Sequence, residues 1–103
     1  MRWGMAPNID LEGRVCVVTG ASGELGRVIS RTLGVAGAKV ALHYFKGEER
    51  AEAQREELRT LGVAAMTLQA DDTEMDSVAV MHKDVEAEFG PADIIVDNAV
   101  IQY

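Results

Sequence analysis

Thr19-Gly20-Ala21-Ser22-Gly23-Glu24-Leu25-Gly26 separates two stretches of different hydrophobic period. Before it, Arg14-Val15-Cys16-Val17-Val18-Thr19 is a short β-branched run, the signature of a strand buried on both faces. After it, Leu25, Val28, Ile29, Thr32, Leu33 and Ala36 recur at three- and four-residue steps and predict one apolar helix stripe. The octapeptide is therefore a strand-to-helix turn with three glycines. Glycines at such a junction permit a tight turn and let a backbone come close to a pyrophosphate. They also let the helix pack on the strand, with the helix N-terminus offering N–H groups and a positive dipole end to phosphate.

The same alternation continues outward. Gly37 suits a left-handed cap for the first helix, and Lys39-Val40-Ala41-Leu42-His43-Tyr44 reads as a second strand. Glu48 to Leu61 reads as a second helix with Ala51, Leu58 and Leu61 facing inward and Gly62 closing it. Ala64 to Gln69 is a third strand. Thr73, three residues before Asp76, approximates a capping box for a third helix with Val78, Met81, His82, Val85 and Phe89 on one face. Gly90-Pro91 ends that helix, and Asp93-Ile94-Ile95-Val96-Asp97-Asn98 is a fourth strand. The order β-α-β-α-β-α-β with short connections predicts an α/β domain built on a parallel sheet with right-handed crossovers.

The chain has 103 residues, enough for one domain and one modest core. Ten Lys and Arg against 17 Asp and Glu give a net charge of −7, a balance that argues against nucleic acid or an anionic membrane surface as partner. Hydrophobic residues make up 48% and charged residues 26%, which places the chain among globular proteins. No apolar run approaches a bilayer-spanning length, and Met1-Arg2-Trp3-Gly4-Met5-Ala6-Pro7 lacks the apolar core of a signal peptide. One cysteine, Cys16, excludes an internal disulfide and any multi-cysteine metal site. A cytoplasmic domain without a metal site is the expectation.

Val17-Val18-Thr19-Gly20-Ala21-Ser22-Gly23 through Gly26 resembles the opening of a short-chain dehydrogenase/reductase. The likeness extends through Gly37-Ala38-Lys39-Val40-Ala41, Gln69-Ala70-Asp71, Glu88-Phe89-Gly90 and Asp93-Ile94-Ile95-Val96-Asp97-Asn98-Ala99. It runs from about Asn8 to the last residue and is strongest toward the β-ketoacyl carrier-protein reductase and pteridine reductase branches. The resemblance implies a Rossmann-like three-layer half domain with strand order 3-2-1-4, helices one and two on one face and helix three on the other. On that basis residues 1–103 form a single truncated dinucleotide-binding domain, with residues 1–8 expected to be flexible.

The resemblance also assigns a cofactor site. Gly20, Ser22, Gly23, Leu25 and Gly26 match the pyrophosphate turn. Asp71 matches the acid that meets the adenine amino group, Asp72 its neighbour beside the ring, and Asn98 and Ala99 the pair that braces the sheet and lines the ribose. NAD-binding relatives carry an acid at the end of the second strand, whereas a 2′-phosphate needs cations. Here Leu42-His43-Tyr44-Phe45-Lys46 has no acid and is similar to the His-Tyr-His-Arg stretch of pteridine reductases. His43 and Lys46 are thus expected to face a 2′-phosphate, and NADP is expected in preference to NAD.

The family's chemistry uses a Tyr as general acid, a Lys that lowers its pKa, and Ser and Asn residues, all beyond the Asn-Ala turn. None has a counterpart here, and Tyr103 is not read as catalytic. The expected function is the nucleotide-binding half of an NADP-dependent oxidoreductase, inactive as a reductase alone. The alternative is a non-catalytic structural or interaction protein that keeps the fold without a cofactor. Glu24 where the main branch has glycine, Asp97 for the first Asn of Asn-Asn-Ala-Gly, and Val100 for its glycine favour that alternative. In either case the fourth strand is an open apolar edge, so the expected partner is a second copy of the chain or a complementing C-terminal half.

Overall fold

The computed structural model describes residues 10–21, 23–69 and 75–97. It contains β1 (Val15–Thr19), α1 (Glu24–Val35), β2 (Lys39–Tyr44), α2 (Glu48–Thr60), β3 (Ala65–Gln69), α3 (Met75–Phe89) and β4 (Ile94–Asp97). Residues 1–8, expected to be flexible, and Thr73, expected to cap α3, lie outside the described residues.

The four strands form one sheet in the order β3-β2-β1-β4. All three pairings are parallel, with Val17 opposite Ala41 and Ile95, and Leu42 opposite Thr67. The chain winds outward from β1 through β2 to β3, then returns to place β4 on the other side of β1. The winding therefore reverses between β1 and β4.

Strand alternation divides the core into two layers. Cys16, Val18, Val40 and Leu42 pack under α1 and α2 with Leu58, Val63, Ile29 and Leu33. Val15, Val17, Ala41 and Leu68 meet Met81, Val85 and Phe89 of α3 on the opposite face. Asp93 fixes the start of β4: its N–H donates to the Val15 carbonyl at 2.8 Å, and its Oδ2 accepts the Val15 N–H at 3.0 Å.

Three helix faces differ from the apolar spacing. On α1, Leu25 and Val28 are each 48% exposed, while Gly26, Ser30 and Gly34 are buried. These small residues take the closest positions because α1 lies near its neighbours, with Ile29 and Leu33 partly buried beside them and Thr32, also expected inward, exposed. Ser30 satisfies its hydroxyl on the Gly26 carbonyl at 2.7 Å, so burying it leaves no polar group stranded. On α2, Ala51 and Leu58 face inward as expected, but Leu61 is 49% exposed and Gln54 is buried between them. On α3, Met81 and Val85 are buried and His82 is exposed; the inward stripe runs through 81, 85 and 89, and position 82 falls beside it.

Candidate functional site: the turn between β1 and α1

All four strands end at the same sheet edge, and in open parallel sheets ligands bind outside that edge where the winding reverses. Here that point lies between β1 and β4, and the Gly20–Gly26 turn leaves it directly.

Each part of the turn has a local cause. Gly20 sits at φ +64°, in the left-handed region that suits glycine, and swings the chain out of β1. Ala21 is fully buried, and its N–H donates to the His43 carbonyl at 2.9 Å, tying the turn to the end of β2. Gly23 is the N-cap of α1 in extended conformation and makes no side-chain capping bond. Among the described residues no side chain caps the start of α1, so its first backbone N–H groups can be offered to an anion.

Gly26 sits where no side chain fits. A Cβ added there would lie 2.7 Å from both Ala21 Cα and the Gly20 carbonyl oxygen. Both are backbone atoms and cannot swing aside. The third glycine therefore serves the contact between helix and turn.

Glu24 does not crowd the turn. Its side chain is 79% exposed and accepts a hydrogen bond from the Arg27 guanidinium at 3.1 Å. The same guanidinium donates from its Nε to Glu57 Oε1 at 3.1 Å and from a terminal nitrogen to Oε2 at 2.9 Å, binding α1 to α2. The hydrogen bond and charge of Glu57, with Glu24 adding to them, raise the Arg27 pKa. Spacing gave no sign of this link, because the partners are 30 residues apart.

The residues expected beside the 2′-phosphate have different environments. Lys46 follows β2, with its ammonium 5.7 Å from the centre of the Phe45 ring. His43 is only 2% exposed and sits on the β2 face that bears Ala41, so its imidazole is inside the molecule and its carbonyl serves the turn. Its neighbour Tyr44 is also buried; burial, then Glu48 and Glu52, push its phenol pKa upward.

The structure brings Gly20, Gly23, Leu25 and Gly26 together at the switch point, with the His43 carbonyl joined to the turn. Ser22, Asp71, Asp72, Asn98 and Ala99 lie outside the described residues. Asp71 and Asp72 come shortly after Gln69, which pairs with Tyr44, and Asn98 follows Asp97, which pairs with Thr19. Among the described residues no cluster of His, Cys, Asp or Glu could hold a metal ion, and no helix is long and apolar enough to cross a membrane.

The family model for short chain dehydrogenase matches residues 14–103. The chain belongs to the short-chain dehydrogenase family. It is 41% identical over 85 residues to the 3-oxoacyl-(acyl-carrier-protein) reductase FabG of Staphylococcus aureus, covering 82% of this chain and 35% of that protein. Among solved structures it is similar to a dehydrogenase/reductase from Sinorhizobium meliloti 1021, with TM-score 0.85 and 31% identity over 93% of this chain and 38% of the other. It also resembles a putative D-mannonate oxidoreductase from Haemophilus influenza solved with bound NAD, with TM-score 0.81 and 26% identity. That match covers 88% of this chain and 32% of the other. The chain spans about a third of the length of the curated relatives it matches. The Rossmann-like fold of an oxidoreductase family and the strand order 3-2-1-4 expected from the resemblance are both found.

Proposed function

We propose that this chain is the nucleotide-holding part of an NADP-dependent short-chain oxidoreductase. The observation that carries this reading is the glycine turn at the switch point, with its uncapped helix start and with Gly26 pressed against Ala21. Gly20, Ser22, Gly23, Leu25 and Gly26 would hold the pyrophosphate, and Asp71 and Asp72 the adenine. Asn98 and Ala99 would line the ribose. Lys46 supplies the positive charge for a 2′-phosphate, and no carboxylate lies between Leu42 and Lys46 to repel it. His43 acts through its carbonyl, which holds the turn. When bound, the cofactor supplies a hydride; the chain's own residues bind and orient it.

These 103 residues contain no counterpart of the Tyr-Lys pair that polarises a carbonyl in the family, so the chain alone does not reduce one. A complementing C-terminal half would supply those groups, and a cytoplasmic location is part of this proposal. Titration of the folded chain with NADPH, with NADH as comparison, tests the reading. Saturable binding that favours NADPH supports it; preference for NADH overturns the cofactor assignment, and no binding to either overturns the nucleotide site.

The second reading, a scaffold that dimerises through β4, draws on Ile95. That side chain is 54% exposed on the sheet face that α3 covers elsewhere, and among the described residues β4 pairs only with β1.

A further inference from the structure

β3 is the outer strand of the sheet: among the described residues it pairs only with β2. The Val40 N–H donates to the Ala64 carbonyl at 2.9 Å, with Val40 opposite Ala65 and Leu42 opposite Thr67. Backbone groups alternate sides along a parallel ladder. Ala64 and Met66 therefore face β2, while Ala65 and Thr67 present N–H and C=O to the open side. A groove of about 650 Å³ runs there, walled by Arg55 and Arg59 of α2, by Met66, and by Glu88 and Phe89 of α3.

α2 lays a stripe of charge along the same edge. Glu52 accepts a hydrogen bond from the Thr67 hydroxyl at 2.9 Å. Arg55 reaches Glu52 at 2.9 Å and Glu56 at 3.7 Å, and Arg59 reaches Glu56 at 3.3 Å. All four side chains keep surface in water, so they can exchange partners. Read backwards, the stripe Glu52, Arg55, Glu56, Arg59 has the opposite sign at every position. An antiparallel copy of α2 would set Glu52 against Arg59 and Arg55 against Glu56.

We propose that β3 docks a second copy of this chain, antiparallel about a two-fold axis at Met66, so that one sheet runs through both chains. Ala65 then pairs with Thr67 of the second copy and Thr67 with its Ala65, each pair exchanging both N–H···O bonds. The helices call for the same axis. The stripe's midpoint lies about 5 Å from Glu52 toward Arg59 at the helical rise. Along β3, which α2 opposes in direction, that is one to two residues back from Thr67 at roughly 3.3 Å each. Met66, packed beside Phe89 on the α3 face, would meet its own copy there. The charges fix register and orientation more than affinity, because exposed pairs contribute little. This contact uses the edge opposite β4 and does not depend on the nucleotide reading.

The test is sedimentation of the whole chain at micromolar concentration, where the parent is expected to be a dimer. Ala65→Pro removes an outward N–H at the start of the strand, leaves the β2 ladder whole, and should give a monomer. Arg55→Glu with Arg59→Glu makes the stripe wholly acidic, and Glu52→Lys with Glu56→Lys makes it wholly basic. Each doubly substituted chain should be monomeric alone, and an equal mixture should recover the dimer, a result that loss of folding cannot imitate. A monomeric parent would overturn the proposal, as would a dimer that survives every variant or a mixture that stays monomeric. A dimer lost in Ile95→Lys but kept in Ala65→Pro would assign the contact to β4 and overturn it at β3.

Discussion

Gly26 faces Ala21 across a gap so narrow that a Cβ on Gly26 would come 2.7 Å from the Ala21 α-carbon. The helix and the turn can hold this distance only because position 26 has no side chain. Gly26→Ala gains helix propensity but must push α1 off the turn, and overpacking of this kind costs about 1–3 kcal/mol. Urea denaturation should show a lower midpoint with an unchanged slope. A midpoint equal to or above the parent's would mean that α1 shifts freely on the turn.

A second consequence concerns alkaline pH. Burial, with a smaller contribution from Asp93, raises the pKa of the Cys16 thiol above its ordinary 9.0. The unfolded chain therefore loses its thiol proton first. The stability due to the neutral buried thiol is complete below pH 9 and is lost as pH rises through the higher folded value. Tyr44, also raised, acts in the same direction from its ordinary 10.0. Denaturation midpoints should be level through neutrality and fall above the thiol's ordinary pKa, with part of the fall removed in Cys16→Val. Equal alkaline sensitivity of parent and variant would remove Cys16 as a cause.

The bridge from Arg27 to Glu57 joins α1 to α2 at their partly exposed surface. Arg27→Gln should lower the melting temperature slightly, because the guanidinium faces water and its attractions are screened. The difference between parent and variant should shrink in high salt. A large difference that persists in salt would show that the bridge orders the α1–α2 interface rather than decorating it.

The open edge makes its own prediction. If β4 pairs with a second copy, Ile95→Lys should shift sedimentation from dimer toward monomer, since charge on an edge strand opposes pairing. A parent chain already monomeric at micromolar concentration would sink the dimer.

Much of this was legible in the sequence, for a physical reason. Strand burial and helix termination are local: the Val15–Thr19 run, Gly37, Gly62 and Gly90-Pro91 mark their elements without reference to anything distant. The family resemblance then supplied the strand order. What the spacing missed depends on tertiary contact. Leu25 and Val28 read as inward because they are large, yet the close seat of α1 selects Gly26, Ser30 and Gly34. Gln54 falls at a helical step between Ala51 and Leu58, a spacing that places it inside despite its polarity. The likeness to pteridine reductases placed His43 at a 2′-phosphate, but its side chain is buried, on the β2 face that bears Ala41.

Charge reversal at the end of β2 separates the two cofactors. Lys46→Glu should weaken NADPH binding by about tenfold or more while affecting NADH far less, because a carboxylate repels the 2′-phosphate and accepts a 2′-hydroxyl. Equal losses for both nucleotides would mean that Lys46 is not what distinguishes them.

The most direct measurement is an amide NMR map of the chain titrated with NADPH. Saturable shifts centred on Gly20, Gly23, Leu25 and Gly26 and reaching Lys46 are the predicted result. Shifts absent from that turn, in a protein that remains folded, would contradict the nucleotide site and leave the fold as a scaffold.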